Sequence, residues 1–417
     1  MIRFASVLAV AALLLSLAVA SPASAGGYDT PILYSARHMG MGGTAQGYVS
    51  DPSALFHNPA GLANVKGISL LGDFSLLLGK ITGSPATDDA ATSATSNLTV
   101  APFFLAGGAF RVHENLTLGI AVYPVASAGA DYEYEDIGGK KVLDKTKLVF
   151  MEVAPGIGVN LPHGINLGAS YRVTYASLER VQEAQQIDFT VTGFNFASFR
   201  LGGQWKAIEE ESIDKADAYR RLSFGLMYRH KTSIDLKADK GKIVLPVTDI
   251  ETTFVLPSRM VFGARGDYGR FGGAVDMEYG FNSQNQKSTI SATTMGTTLS
   301  RDNIFDWKDA ITLRTGLEYR LLEHAELKGR VGYIFDATTS SKAYPTAFGT
   351  PPTPTHSITL GCGYDGGPWE ANLAYAYRFG STTVTAADFK GCAFCGYEGD
   401  YEIAMHGLYA DFSYDFE

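Results

Sequence analysis

The chain has 417 residues and a formal net charge of −9, so it lacks the basic surplus that neutralising nucleic-acid phosphates requires. Charged residues make up only 18%, below the ~25% of an average soluble chain, while 46 glycines, 24 phenylalanines and 22 tyrosines favour strands and turns over a helical enzyme. The cysteines are Cys362, Cys392 and Cys395; the last two could close a small disulfide loop in an exported protein, and without nearby histidines they fall short of a four-ligand metal set.

Residues 1–25 read as an export signal. Arg3 supplies the positive end, Val7 to Ala20 is apolar apart from Ser16, and Ala23-Ser24-Ala25 offers a small-residue cleavage site. The apolar run is about fourteen residues, short of the roughly twenty a spanning helix needs, so cleavage before Gly26 is expected. Next come the run Met39-Gly40-Met41-Gly42-Gly43 and two proline-centred breaks, Asp51-Pro52 and Asn58-Pro59. Asp51 is a good N-cap for a short helix with Pro52 at its first position. Asn58 must then be extended, because a residue before proline is pushed out of the helical region, and Pro59-Ala60 can begin a second turn. Such breaks could also merely fold a linker. Gly40, Gly42 and Gly43 permit close backbone approach or positive φ, and without a following Lys-Ser/Thr they are packing devices rather than a nucleotide-binding loop.

From Val65 onward, hydrophobicity alternates with period two in segments of about ten residues, as strands with one apolar face require. Strands are expected near 66–78, 98–111, 116–125, 147–161, 165–178, 188–207 and 220–236. They continue near 252–267, 271–282, 307–320, 325–335, 357–364, 369–379 and 406–416. Short links, His113 to Asn115 and Pro162 to Gly164, alternate with long polar ones, 79–97 and 126–146. Short turns on one side and long loops on the other describe a bacterial outer-membrane barrel, and an even strand number returns the C-terminus to the periplasm. The link Ile208 to Tyr219 misfits, being long and charged where a short turn is due. The expected fold is all-β: a transmembrane antiparallel β-barrel of about fourteen strands over residues 65–417.

The two faces of each strand then acquire meanings. Leu167, Ala169, Tyr171, Val173 and Tyr175 would meet lipid while Asn166, Ser170, Arg172 and Thr174 point inward. Likewise Ile311, Leu313, Leu317 and Tyr319 alternate with Thr312, Arg314, Glu318 and Arg320, and Leu408, Ala410, Phe412, Tyr414 and Phe416 share one face. An arginine on the lipid face at mid-depth would cost roughly 2 to 4 kcal/mol, so these charges belong in the lumen. Arg172, Arg314 and Arg330 are candidate partners for a ligand carboxylate, or else pair with lumen acids such as Glu318. Cys362, between Leu360 and Tyr364, faces lipid by the same parity. Pro124 follows the strand Leu116 to Val122 and precedes Ala126-Ser127-Ala128-Gly129. Proline removes a ladder donor, so pairing should be interrupted there, either as a lateral exit around Pro124 and Gly129 or as a strand ending in its loop.

The run SARHMGMGGTAQGYVSDPSALFHNPAGL, Ser35 to Leu62, resembles the N-terminal segment of the FadL/TodX-like family of outer-membrane long-chain fatty acid and hydrocarbon transporters. Further similarities follow in order: APFFLAGGAFRVHENLTLGIAVYP (101–124), YRHKTSIDLK (228–237), LPSRMVFGA (256–264), HSITLGCGY (356–364) and the aromatic end at Phe416. The resemblance implies a fourteen-stranded barrel closed by a small N-terminal helical plug, or hatch, over residues 26–64. It implies hydrophobic substrate captured from outside and released sideways into the membrane through a kinked third strand. The plug residues singled out are Gly40, Gly42, Gly43, Asp51, Pro52, Asn58, Pro59 and Ala60. Two departures stand out: Glu417 follows the terminal aromatic, and Glu183 to Ala218 does not align.

The expected function is passive uptake of a hydrophobic small molecule, a long-chain fatty acid or aromatic hydrocarbon, across the outer membrane of a Gram-negative bacterium. No cofactor or metal is needed and no enzymatic activity is expected. The partners are outer-membrane lipids and lipopolysaccharide, and the barrel-assembly machinery acting on the C-terminal strand. Two alternatives remain open: a lipid-modifying barrel enzyme, which would need a nucleophile beside a histidine at the lipid interface, and a polar-solute porin.

Overall fold

The computed structural model describes residues 33–84, 93–135, 139–210, 220–321, 326–345, 351–388 and 398–416. The export signal expected at 1–25 and the pair Cys392 and Cys395 lie outside the described residues. Nineteen strands form one antiparallel sheet. In chain order they begin with β1 (Ile68–Gly83), β2 (Ala94–Thr95), β3 (Thr99–His113), β4 (Leu116–Glu135), β5 (Lys141–Leu161), β6 (Ile165–Gln182) and β7 (Ile187–Glu210). Next are β8 (Arg220–Arg229), β9 (Thr232–Ile243), β10 (Leu245–Leu256), β11 (Arg259–Tyr268), β12 (Phe271–Gly280), β13 (Lys287–Thr294) and β14 (Thr297–Ile304). The last are β15 (Ala310–Arg320), β16 (Leu327–Asp336), β17 (Thr355–Asp365), β18 (Trp369–Val384) and β19 (Gly399–Phe416). Fourteen of them, β1, β3 to β8, β11, β12 and β15 to β19, close as a barrel. Closure is by β19 on β1, in register from Ile68↔Phe416 to Thr82↔Glu402.

Several strands depart from the expected bounds for identifiable reasons. The segment expected at 220–236 is divided at His230-Lys231, and that at 252–267 is divided at Pro257-Ser258. Proline cannot donate to a ladder, and the two breaks face one another. Lys231 N donates to Ser258 Oγ at 3.0 Å, and Arg229 Nη2 donates to the Pro257 carbonyl at 2.8 Å. On one side of the breaks β8 pairs with β11; on the other β9 pairs with β10. The strands β9, β10, β13 and β14 thus extend the wall where β7 also continues, through Ile187↔Ile243 and Thr248↔Thr293. β13 and β14 form where only a connection is expected. β4 runs through Pro124 to Glu135, because its ladder with β5 continues past a single register shift between Pro124 and Ala126.

The barrel is inverted relative to a soluble protein, with apolar side chains outside. Leu167, Tyr171, Ile311, Leu317, Leu408 and Phe412 are exposed, whereas Asn166, Ser170, Arg172, Thr174, Arg314 and Glu318 are buried in the lumen. Cys362 is exposed on the outer face. His230 stacks on Phe199 and His356 on Phe379 at ring distances of 4.7 and 5.6 Å, contributing to the aromatic girdle expected of a transmembrane barrel.

The lumen holds the N-terminal segment. It comprises helix α1 (Ala36–Gly40), helix α2 (Ala54–His57) and a 3₁₀ turn, Pro59–Asn64. From Leu33 to Ala63 every residue is buried except Arg37, Ser50 and Asp51, which are partly so. Leu55, Phe56 and Leu62 share one apolar cluster with the wall residues Leu105, Phe150 and Phe254. Burial of a leucine or phenylalanine side chain is worth roughly 1.5 to 3 kcal/mol, so each of these three residues contributes to the plug's seating on that scale.

Candidate functional site

The plug meets the wall backbone to backbone. Among the plug glycines, Gly42 and Gly43 have φ of +67° and +74°, a region that side chains with a Cβ rarely adopt. Gly40 lies against Gly361 of β17. The wall answers with glycines of its own at inward positions. A Cβ on Gly316 or Gly332 would overlap the backbone of Met41 and Gly42, and one on Gly225 would overlap Gln46. Along β6 and β7, a Cβ on Gly168 would overlap Pro59 and Ala60, and one on Gly202 would overlap Asn58. Period-two parity carries a signal for this floor, namely glycine where an inward side chain is due; the sequence reading did not use it.

Polar contacts fix the plug's orientation. Asp276 of β12 accepts hydrogen bonds from Ala45 N (2.8 Å) and Gln46 N (3.2 Å). Asp411 of β19 accepts from Ser35 Oγ (2.7 Å) and Arg37 N (3.2 Å). Asn58 is extended, with φ −154° and ψ 104°, and its side-chain oxygen accepts from Ala60 N at 3.2 Å at the start of the 3₁₀ turn. Its amide nitrogen donates to the carbonyls of Gln46 (3.0 Å) and Gly203 (3.1 Å), joining both halves of the plug to β7. Asp51 accepts from Ser53 N at 2.7 Å, so its carboxylate caps the turn Asp51-Pro52-Ser53 from which α2 starts at Ala54. Pro52 packs against Gly107 of β3.

The three arginines considered for a ligand carboxylate are already engaged. Arg172 is ion-paired with Glu152 and donates to the His230 carbonyl at 2.9 Å. Arg314 pairs with Glu278 at 2.8 Å, a carboxylate it shares with Arg259. Arg330 pairs with Glu318 at 2.7 Å and donates to Asn372 at 2.6 Å, while Arg265 bridges Asp267 and Glu318. Removing one partner of such a buried pair costs roughly 3 to 5 kcal/mol, so these arginines brace the wall around the plug rather than standing ready for a ligand.

Beside the plug the wall's ladder is interrupted. β3 and β4 pair only from His113↔Leu116 to Ala106↔Val122. Beyond that point β3 keeps β1 as a neighbour to Gly79↔Thr99, and β4 keeps β5 to Glu135↔Lys141. The strands meet again where Asn97 N donates to the Asp131 carbonyl at 2.8 Å. Roughly 30 Å of strand on each side therefore lacks its ladder partner. Buried Phe103, Leu105, Tyr123, Val125 and Ala126 flank this gap. Tyr34 of the plug donates to the Pro124 carbonyl at 2.5 Å, and its ring meets Phe56 edge-on at 5.0 Å, as Tyr123 does at 5.3 Å. Gly129 belongs to the continuous ladder with β5, where a Cβ would overlap the Thr146 carbonyl.

Two histidines lie at the centre of the plug, their rings 4.9 Å apart. His57 Nε2 bonds the Tyr34 carbonyl and His38 Nδ1 the Thr44 carbonyl, each at 2.9 Å. Burial lowers the pKa of His57 to about 3, with Arg314 and Arg200 acting in the same direction against the Tyr34 bond. Burial likewise holds His38 well below the usual range, assisted by His57 and Arg37. At these two imidazoles the seated plug therefore binds fewer protons than an unseated one. Their contribution to its seating is fully present above the ordinary histidine value of about 6.5 and falls as pH drops below it, on the order of 1 kcal/mol per pH unit for each imidazole. Single-channel conductance is expected to be flat from pH 8 to 7 and to rise below pH 6. His57→Phe should weaken that rise.

No family model matches the chain, and no curated protein matches it. Solved structures match its fold. A Pseudomonas aeruginosa FadL homologue superposes with a TM-score of 0.70 at 15% identity, covering 94% of this chain and 100% of that one. The Pseudomonas putida toluene transporter TodX gives 0.67 at 16% identity over 94% and 100% of the two chains. The Ralstonia pickettii toluene transporter TbuX gives 0.67 at 15% over 93% and 100%. At these identities the likeness is one of fold.

Proposed function

With that shared fold as premise, we propose that the protein is an outer-membrane channel of a Gram-negative bacterium for passive uptake of hydrophobic small molecules, gated by its plug and releasing them sideways through the gap beside Pro124. The observation that carries this reading is the apolar cluster in the lumen. It runs from Ile250 and Phe254 in the extended wall, through Leu148 and Phe150, to Tyr123, Val125 and Ala126 at the gap, and includes the plug's Leu55 and Phe56. That cluster offers an apolar molecule the kind of lining that sites for such ligands use. A broken ladder in a lipid-facing wall is tolerable where protein or substrate lines it.

The substrate class follows from the paired arginines. Because Arg172, Arg314 and Arg330 already face carboxylates, a neutral aromatic hydrocarbon suits the lumen better than a fatty acid. Toluene transport by the proteins of matching fold supports the same choice. The exposed apolar belt suits contact with lipid and lipopolysaccharide, and β19, ending on Phe416, suits recognition by the barrel-assembly machinery. A polar-solute porin is disfavoured by the seated plug. A lipid-modifying enzyme is disfavoured for His38 and His57, which are buried inside it.

Cells with an intact lipopolysaccharide layer that express the protein should take up a radiolabelled neutral aromatic hydrocarbon several-fold faster than cells lacking it. Equal rates would overturn the transport reading. Pro124→Val restores a ladder donor and should lower uptake about fivefold at unchanged yield of folded barrel, as pairing of β4 with β3 becomes possible. Undiminished uptake would remove the sideways route at this position. Gly129→Val is unsuitable, because it would damage the ladder with β5.

A further inference from the structure

We propose that Arg200 is the positioning residue that couples the plug to the gap, acting as a latch between α2 and Tyr123. Arg200 lies on β7 and is fully buried, 1% exposed. Its Nη1 donates both to the Leu55 carbonyl of α2 and to the Tyr123 hydroxyl, the latter at 3.0 Å. The Tyr123 hydroxyl in turn donates to the same Leu55 carbonyl at 3.2 Å. One plug carbonyl therefore accepts from a wall arginine and from the residue that begins the gap. The guanidinium also sits over the Phe56 ring at 5.6 Å, and Phe56 meets Tyr123 edge-on. Next to Tyr123, the Pro124 carbonyl takes the Tyr34 hydroxyl from the plug.

The neighbouring Arg172 uses Glu152 as its counter-charge, whereas Arg200 directs its donors to a plug carbonyl and a phenol. A charge-assisted donor of this kind depends on an acceptor that moves with the plug. When α2 shifts, the Leu55 carbonyl draws Arg200 with it, and Arg200, still bonded to the Tyr123 hydroxyl, draws that ring away from the end of the β3–β4 ladder. Displacement of the plug and release of the gap's first side chain are then one event. The two states differ in a small set of named contacts, which is what coupling between two sites requires.

The latch rests on the proposed transport function, and two readouts separate them: planar-bilayer conductance to small ions reports plug seating, and whole-cell uptake of a neutral aromatic hydrocarbon reports passage through the gap. R200Q should raise conductance and lower uptake, each by about tenfold, because plug motion no longer reaches Tyr123. A plug that was merely loosened would raise both, and a damaged barrel would lower both. Y123F, which keeps the ring and its packing, should lower uptake with little leak, and R200Q combined with Y123F should be no worse for uptake than R200Q alone. The latch is overturned if R200Q changes both readouts in the same direction or neither, or if the double variant multiplies the single effects. If unaltered protein gives no uptake while R200Q still raises conductance, the transport reading fails and the coupling to uptake fails with it.

Discussion

Replacing Gly225 and Gly332 by leucine is expected to leave a folded barrel with an unseated plug, turning a nearly closed pore into one of large, steady conductance. Gly225 has the Gln46 carbonyl where its Cβ would be, and Gly332 has the amide of Gly42. Neither obstacle is the end of a side chain that could turn aside. Inserting extra methylenes into a well-packed interior typically costs about 1 to 3 kcal/mol, and a clash with backbone falls at the upper end. Two such sites, against Gln46 and Gly42, should therefore remove several kcal/mol of seating while leaving each strand's own ladder intact. Gly72 is the matched control. It lies on the outer face of β1 with nothing within 4 Å of its Cβ position, so Gly72→Leu should leave conductance unchanged. A sealed pore in the Gly225 and Gly332 variants would mean that the plug is not held by this floor.

The lower barrel is legible in the sequence because lipid outside and polar groups inside impose strict alternation. Leu167, Tyr171 and Tyr175 against Asn166, Arg172 and Thr174 is such a stretch, and its sidedness is as expected. Higher up, the alternation fades because the lumen itself becomes apolar. In β5, Leu148 and Phe150 point inward between the outward Lys147, Val149 and Met151, so that the strand starts at Lys141, earlier than the pattern indicates. β14, Thr297–Ile304, has no buried face at all, which leaves periodicity nothing to detect.

The site was readable in part. Proline and glycine chemistry marks the plug's breaks, and Asn58 lies extended before its turn as the residue ahead of a proline must. Parity places the arginines inside the lumen but cannot name their partners, which are distant in sequence. Arg172 finds Glu152 20 residues away, and Arg265 finds Glu318 53 residues away. Arg200 and Tyr123 are 77 residues apart and become related only when β7 and β4 face the same plug carbonyl. The gap is hidden for a related reason. Pro124 signals an interruption, and only the register shows that β3 loses its partner there while β5 keeps its own.

The sideways route is tested most directly by closing the gap. If the ladder continued in register beyond Ala106↔Val122, Ala101 would face Ser127. Cysteines at these two positions, in a chain whose native cysteines are replaced by serine, can be joined by a bifunctional thiol reagent containing a reducible disulfide. The tether holds two strands that, among the described residues, share no ladder pairing along this stretch. Uptake of the neutral aromatic hydrocarbon should fall at least about tenfold on tethering and recover when the tether is reduced, as the proposed sideways outlet requires. Uptake that continues at its full rate with the gap tethered shut would contradict lateral release.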